Sequence, residues 1–290
     1  MSTEKAEFRP ALEALLASGR QLPTLPVLVL QVHRALANEL SGVRDIGQII
    51  ERDPSLTARL LRVANSAAFS RGEPVTSIGT AISRLGMGHV RSLCLAVGIV
   101  RAFGEAGQRL DHKRYWEHSA AVGLVAERLA SLSKRYAEVD GSEAYTAGLL
   151  HDVGLLIVDQ FFPEDFAGVQ EAMEAEMVPR SDVELTRLGM DHGSIGGRVL
   201  ERWQLPVSVR GAVAAHHRPE TAAPDVSALA HLIWAAEALC TAQGLELPQE
   251  GQATTPPTDV FDRLDLPEAE RVKVLSEVGA IGERARDFTH

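Results

Sequence analysis

The sequence predicts an all-α protein. Apolar residues recur at helical spacing along most of the chain, β-branched alternation bounded by hairpin turns is nearly absent, and capping and chain-breaking residues fall at intervals that suit helices. At 290 residues and 45% hydrophobic composition, the chain is long enough to bury a substantial core. A formal net charge of −10 leaves no surplus of lysine and arginine for a phosphate backbone, which argues against non-specific nucleic-acid binding. The opening MSTEKAEFRPALEA has no apolar h-region, and the longest clean apolar run, Leu93 to Val100, is far short of a bilayer span. The expectation is therefore a cytoplasmic protein with no membrane association. Cys94 and Cys240 lie in apolar helical patterns and are expected as buried, reduced thiols.

The elements follow in order. The first half reads as short helices joined by tight turns. In Arg52-Asp53-Pro54-Ser55-Leu56, Asp53 is placed to cap a helix whose first position is Pro54 and which runs to about residue 67. Arg71-Gly72-Glu73-Pro74 breaks the chain; Thr76 to Leu85 and Gly88 to Phe103 then read as two helices separated at Gly86. After a charged, glycine-bearing loop at residues 104–112 the helices lengthen, and a subdomain boundary is expected near residue 110. Residues 1–110 form an N-terminal helical subdomain and residues 111–242 a second helical core. Residues 243–290 comprise a loop rich in Gln, Thr, Pro and Gly and a last helix from about Pro267 to Asp287.

Polar residues fall on the apolar faces of these helices. His118 shares a stripe with Val122, Val125, Leu129 and Leu132; His192 with Ile195, Val199 and Trp203; His216 with Val209 and Val213, His217 lying about 100° further round. Glu237 joins Leu229, Ile233 and Cys240, and the stretch GLLHDVGLLI sets His151 and Asp152 inside an apolar run. One inward histidine is commonly a satisfied core residue. Seven titratable groups on five helices aimed at one interior are costly to bury unless they satisfy one another or share a cation. Both arrangements fit the residues. If a cation is held, the all-nitrogen-and-oxygen donor set suits one or two divalent metals such as Mn, Fe, Co, Ni, Zn or Mg, with the histidines disfavouring Mg alone.

These residues resemble the HD superfamily of metal-dependent phosphohydrolases, and the rest of the chain is similar to its HDOD relatives, output domains of bacterial signalling. The resemblance runs from about residue 20 to 285. It rests on Leu22-Pro-Thr-Leu-Pro26, Asp53-Pro-Ser-Leu-Thr-Ala58, Ala64-Asn-Ser-Ala67 and Ser77-Ile…Ala81-Ile…Arg84-Leu-Gly86 in the first half. In the second it rests on Trp116…His118-Ser119, Ala147-Gly-Leu-Leu-His-Asp-Val-Gly154, His192…Gly196, Trp203…Leu205-Pro206 and His216-His217. It implies an N-terminal helical subdomain packed on an HD-type core, with His118, His151, Asp152, His192, His216, His217 and Glu237 as the metal ligands if metal is held. It also implies a role in signal transduction through a protein partner or a sensed ligand, a nucleotide being one candidate.

The cyclic-dinucleotide-hydrolysing HD-GYP relatives carry a lysine just after the His-Asp pair, where this chain has Leu155. Their Gly-Tyr-Pro loop after the double histidine is replaced by Arg218-Pro-Glu-Thr-Ala-Ala-Pro224, and their terminal aspartate by Glu237. Phosphodiester hydrolysis needs a cation to take up charge developing on the phosphoryl oxygens. Arg198 and Arg218 are the available substitutes. The expectation is a non-catalytic signalling module, with metal-dependent phosphohydrolase or phosphodiesterase activity as the alternative.

Overall fold

The computed structural model describes residues 3–18, 26–36, 38, 40–66, 69, 72–103, 109–247 and 259–285. Expectations that touch residues 22–25, 67, 71, 104–108, 248–258 and 286–290 lie outside the described residues.

The described residues form α-helices and one 3-10 turn, with no strand, as the apolar periodicity requires. The first group is α1 (Thr3–Ser18), α2 (Val27–Leu36), α3 (Val43–Ile50), α4 (Pro54–Asn65) and α5 (Ile78–Phe103). The second is α6 (His112–Leu132), α7 (Gly141–Leu150), α8 (Val153–Phe161), α9 (Pro163–Glu176), α10 (Arg180–Arg187), α11 (His192–Arg202), α12 (Val207–Ala215) and α13 (Pro224–Ala242), with the 3-10 turn Pro219–Thr221 between the last two. α14 (Val260–Arg263) and α15 (Glu268–Ala285) follow.

Local chemistry explains the boundaries. Asp53 caps α4, accepting from the Ser55 and Leu56 backbone N–H groups at 3.0 Å each, with Pro54 at the first helical position. α4 ends at Asn65, whose side chain bonds both the N–H and the carbonyl of Val75 and ties the following turn down. The break expected at Gly86 is present as a non-helical residue (φ 80°, ψ 157°) inside an otherwise continuous α5. α5 is also long and apolar enough to cross a membrane by length and composition; 59% of its most apolar window is buried within the protein.

One apolar core runs through the described helices, and Cys94 and Cys240 are free thiols within it. Fully buried Tyr115, Leu129, Tyr145 and Phe166 belong to it, and large apolar side chains so buried contribute on the order of 1.5–3 kcal/mol each. α6 lies at its centre, packed on α7, α13 and α15. Two glycines flanking His151-Asp152 let the backbones approach: a Cβ on Gly148 would stand 2.8 Å from the Gly123 Cα of α6, and one on Gly154 only 2.0 Å from the His192 carbonyl oxygen of α11. Any side chain at either position would push a helix away from the His-Asp pair.

Candidate metal centre

The His-Asp pair does not lie mid-helix, as the apolar run suggested. His151 ends α7 and Asp152 precedes α8, at the junction of the two helices. His216 likewise ends α12, with His217 just beyond it, whereas His118 lies inside α6, His192 opens α11 and Glu237 sits in α13. Helix ends serve a polar centre well, because side chains there leave the apolar stripe without breaking its packing.

Three histidines are fixed alike. Nδ1 of His118 donates to the Leu245 carbonyl, Nδ1 of His151 to Gly148 and Nδ1 of His216 to Val213, each at 2.7 Å. A carbonyl can only accept, so each ring carries a proton on Nδ1, and a ring that is neutral, as burial favours for His118 and His216, presents the Nε2 lone pair. The Nε2 atoms surround one carboxylate: His151 stands 3.1 Å and His118 3.6 Å from Asp152 Oδ2, while His192 stands 3.2 Å and His216 3.9 Å from Oδ1. His118, His151, Asp152, His192 and His216 are all at most 2% exposed.

His192 is held differently. Its Nδ1 and its backbone N–H both donate to Glu184 Oε2 at 2.7 Å, and its Nε2 stands 2.8 Å from His217 Nε2. Glu184 is 1% exposed and lies 3.6 Å from the Arg180 guanidinium, which rests over the Phe166 ring. A buried carboxylate behind a histidine orients the ring and raises its basicity toward whatever Nε2 faces.

The electrostatics follow from this packing. Burial and the neighbouring His151 push His118 down to about 4, and burial with His151 and His192 pushes His216 down to about 3. Burial and His216 hold His217 well below the usual imidazole range. Burial opposes charge on His192, but Glu184 and Asp152 outweigh it and raise that ring well above the ordinary range. Burial likewise opposes ionisation of Asp152, and His151 and His192 outweigh it, holding the carboxyl well below its usual range. Glu237, pushed up to about 7 by burial, forms the edge of the cluster, with oxygens 4.0 Å from His216 Nε2 and from His217 Nδ1.

Donor atoms gather in three overlapping sets: His118, His151 and Asp152; His192, His216 and His217; and His151, His216 and Glu237, each within 4.8 Å of one another. A metal fits this arrangement on a direct observation. His118 Nε2, His216 Nε2 and both Asp152 oxygens are buried without a hydrogen-bond partner among the described residues, and orphaned buried donors and acceptors are costly. A divalent ion would satisfy nitrogen lone pairs and carboxylate oxygens together. The two Asp152 oxygens face different histidine pairs, an arrangement that suits a carboxylate shared by two ions.

The seven residues expected from the apolar stripes thus come together, Glu237 most peripherally. Glu184, Arg180 and the Leu245 carbonyl did not emerge from the sequence. An acid eight residues before an inward histidine looks like any solvated glutamate, and a backbone carbonyl has no letter of its own. The two arginines considered as phosphate clamps are engaged elsewhere: Arg198 pairs with Glu13, and Arg218 with Asp182 at 2.7 Å. Leu155 is 1% exposed in the apolar core.

Comparison with known proteins agrees with this architecture. The HDOD domain model matches residues 22–219. An uncharacterized protein of Treponema pallidum (strain Nichols) is 27% identical over 213 residues, which are 72% of this chain and 41% of that protein, so the chain spans less than half of that relative. Among solved structures, a candidate signal transduction protein from Marinobacter aquaeolei VT8 is 26% identical with a TM-score of 0.78, over 98% of this chain and 64% of that one. An HDOD domain protein of unknown function from Geobacter sulfurreducens, 24% identical with a TM-score of 0.75 over 95% and 99% of the two chains, shares the fold. Since the model match takes in four of the five N-terminal helices, α2 to α5, as well as His118, the His-Asp pair and the double histidine, the chain belongs to the HDOD domain family.

Proposed function

We propose that this chain is a signal-transduction output module whose His-Asp centre holds one or two divalent metals in a structural or sensing role, without turnover. The observation that carries the reading is the pairing of a complete donor set with an apolar Leu155 where the hydrolytic relatives place a cation. A transition state that gathers charge on phosphoryl oxygens loses a preorganised partner there, and such a loss typically lowers the rate on the order of 10²–10³-fold. With Arg198 and Arg218 in ion pairs, neither arginine is free to take the role as it stands. The Marinobacter relative, 26% identical, supports a signalling context.

In this reading residues 1–110 present the docking face for a protein partner, residues 111–242 form the metal-holding core, and residues 243–290 close it, Leu245 lending its carbonyl to His118. Val27, 72% exposed, and Leu40, 91% exposed, are apolar residues of the docking half left open to solvent.

The alternative is a metal-dependent phosphohydrolase or phosphodiesterase acting on nucleotides or cyclic dinucleotides, favoured by the same donor geometry. The deciding experiment supplies Mn²⁺ or Fe²⁺ to the purified chain and measures cyclic-dinucleotide turnover. The expected rate is far below 1 s⁻¹. Turnover at about 1 s⁻¹ or faster that His151→Ala and Asp152→Ala both abolish would rank the enzyme first.

A further inference from the structure

A second polar cavity, of about 480 Å³, lies apart from the His-Asp centre, where α5, α6, α15 and Phe69 meet. Its size falls within the range of small-ligand pockets. None of its lining residues belongs to the donor sets of the metal centre, so its occupant and the metal can be tested separately.

Two of the charged pairs on its walls are closed. Arg128 grips Glu277 through Nε at 2.7 Å and a second nitrogen at 3.3 Å. His89 joins Glu127 at 3.0 Å while its other nitrogen meets the Leu85 carbonyl at 2.9 Å, and the ring is wedged between Phe69 and Tyr145 with centroids 4.8 and 4.7 Å away. The exception is Arg84. Its guanidinium is steadied by the Ala64 carbonyl at 3.3 Å and the Glu73 carbonyl at 2.8 Å, and among the described residues no carboxylate pairs with it. Two of its five N–H donors are thereby used, and the rest remain for a ligand. Beside Ser131, the remaining surface is largely apolar, supplied by Phe69, Leu124 and Ile281 among others.

We propose that this cavity is a binding site for a small organic carboxylate with an aromatic or branched apolar body. The carboxylate is recognised by Arg84, and the body packs on Phe69, Leu124 and Ile281. One uncompensated guanidinium matches one carboxylate in fork geometry. A phosphate dianion is disfavoured because its second charge would need a second cation, and the Arg128 guanidinium on these walls is already paired with Glu277. The apolar lining excludes the bare acetate ion as a good ligand, since it would leave that surface wet.

The test uses the full chain, labelled at leucine and isoleucine methyls, titrated with phenylacetate, and with phenethylamine and acetate as controls. Phenylacetate is expected to shift the Leu124 and Ile281 methyls saturably below about 10 mM, in metal-loaded and chelated protein alike, while phenethylamine and acetate do not. Arg84→Gln is expected to weaken binding by about tenfold or more, the loss of a charge-assisted contact. Should Arg84→Gln unfold the turn it steadies, Ala280→Trp, on an exposed position of the cavity wall, serves instead: it fills the space and is expected to abolish the shifts with an unchanged melting temperature. The proposal is overturned by unsaturated methyl shifts at 10 mM, by equal response to phenethylamine, or by wild-type affinity in a folded Arg84→Gln or Ala280→Trp variant.

Discussion

His89 and His118 are both buried histidines on long helices, and both donate through Nδ1 to a backbone carbonyl. They part at Nε2. In His89 it meets Glu127 at 3.0 Å, so the ring is satisfied on both sides by this chain alone. In His118 it is buried without a hydrogen-bond partner among the described residues, 3.6 Å from an Asp152 oxygen that also lacks one there. Burial and inward direction therefore do not separate a structural histidine from a ligand; the fate of the second nitrogen does. One region is a closed set of ion pairs in which an exception, Arg84, stands out as a cation with no carboxylate partner among the described residues. The other is a ring of imidazole Nε2 atoms around one carboxylate, which a cation completes.

The largest effect expected from this contrast is at Asp152. Asp152→Asn keeps the shape of the side chain and removes the charge that four imidazoles share, so divalent-metal affinity should fall by more than about 100-fold in a competition titration, ligand loss exceeding the loss of an outer partner. Glu127→Gln, which removes the equivalent charge beside His89, should leave metal affinity within error. Equal losses in the two variants would erase the distinction between the regions.

Next comes Glu184. Because Gln can still accept from His192 Nδ1, Glu184→Gln should preserve the fold while lowering metal affinity about 10–100-fold. Nitrogen-15 NMR of His192 should show its Nε2 becoming less basic. An unchanged affinity would make Glu184 a packing residue only.

A smaller effect concerns pH and the metal-free protein. His118 is pushed down to about 4 and His216 to about 3 from an ordinary 6.5, and His217 is lowered with them. The unfolded chain therefore binds protons that the folded one refuses, and stability is lost as pH falls from about 6.5 toward 4. Glu237, raised from 4.5 to about 7, works in the opposite sense, because the folded protein keeps a proton that the unfolded chain releases as pH rises through that window. Three imidazoles outweigh one carboxyl. The melting temperature of chelated protein should drop between pH 6.5 and 4.5; a flat or rising profile would show that the cluster is not desolvated as described.

The smallest effect is at the start of α4, far from both sites. Asp53→Ala removes the cap and the partner of Arg101 and should lower stability by about 1 kcal/mol in denaturant unfolding, with no change in metal binding.

Much of this was legible in the sequence because apolar periodicity carries direction. The stripes through Val122 and Val125, Ile195 and Val199, and Val209 and Val213 aim His118, His192 and His216 at one interior. Glycine and proline punctuation likewise placed the break at Gly86 and the cap at Asp53. What stayed hidden is long-range or lacks a side-chain letter. The Leu245 carbonyl is 127 residues from His118, and Glu184 reaches His192 by the fold of a short helix whose pattern suits an exposed ion pair equally well. The helix ends at His151 and His216 are not marked in the sequence, since an apolar run gives no sign of where its last turn stops. The second cavity was invisible because it takes walls from residues 69, 84–89, 124–131 and 277–281, which no local motif joins.

The most direct measurement is elemental analysis of the chain purified without chelators or a metal-stripping tag, followed by titration of the chelated protein with Mn²⁺, Fe²⁺ and Zn²⁺. A centre whose lone pairs and carboxylate oxygens await a cation should carry at least one divalent ion per chain, reload after chelation, and lose both properties in Asp152→Asn. Wild-type protein that contains no metal, takes none up during titration and melts at the same temperature with and without it would show that the His-Asp cluster is a hydrogen-bonded polar core and nothing more.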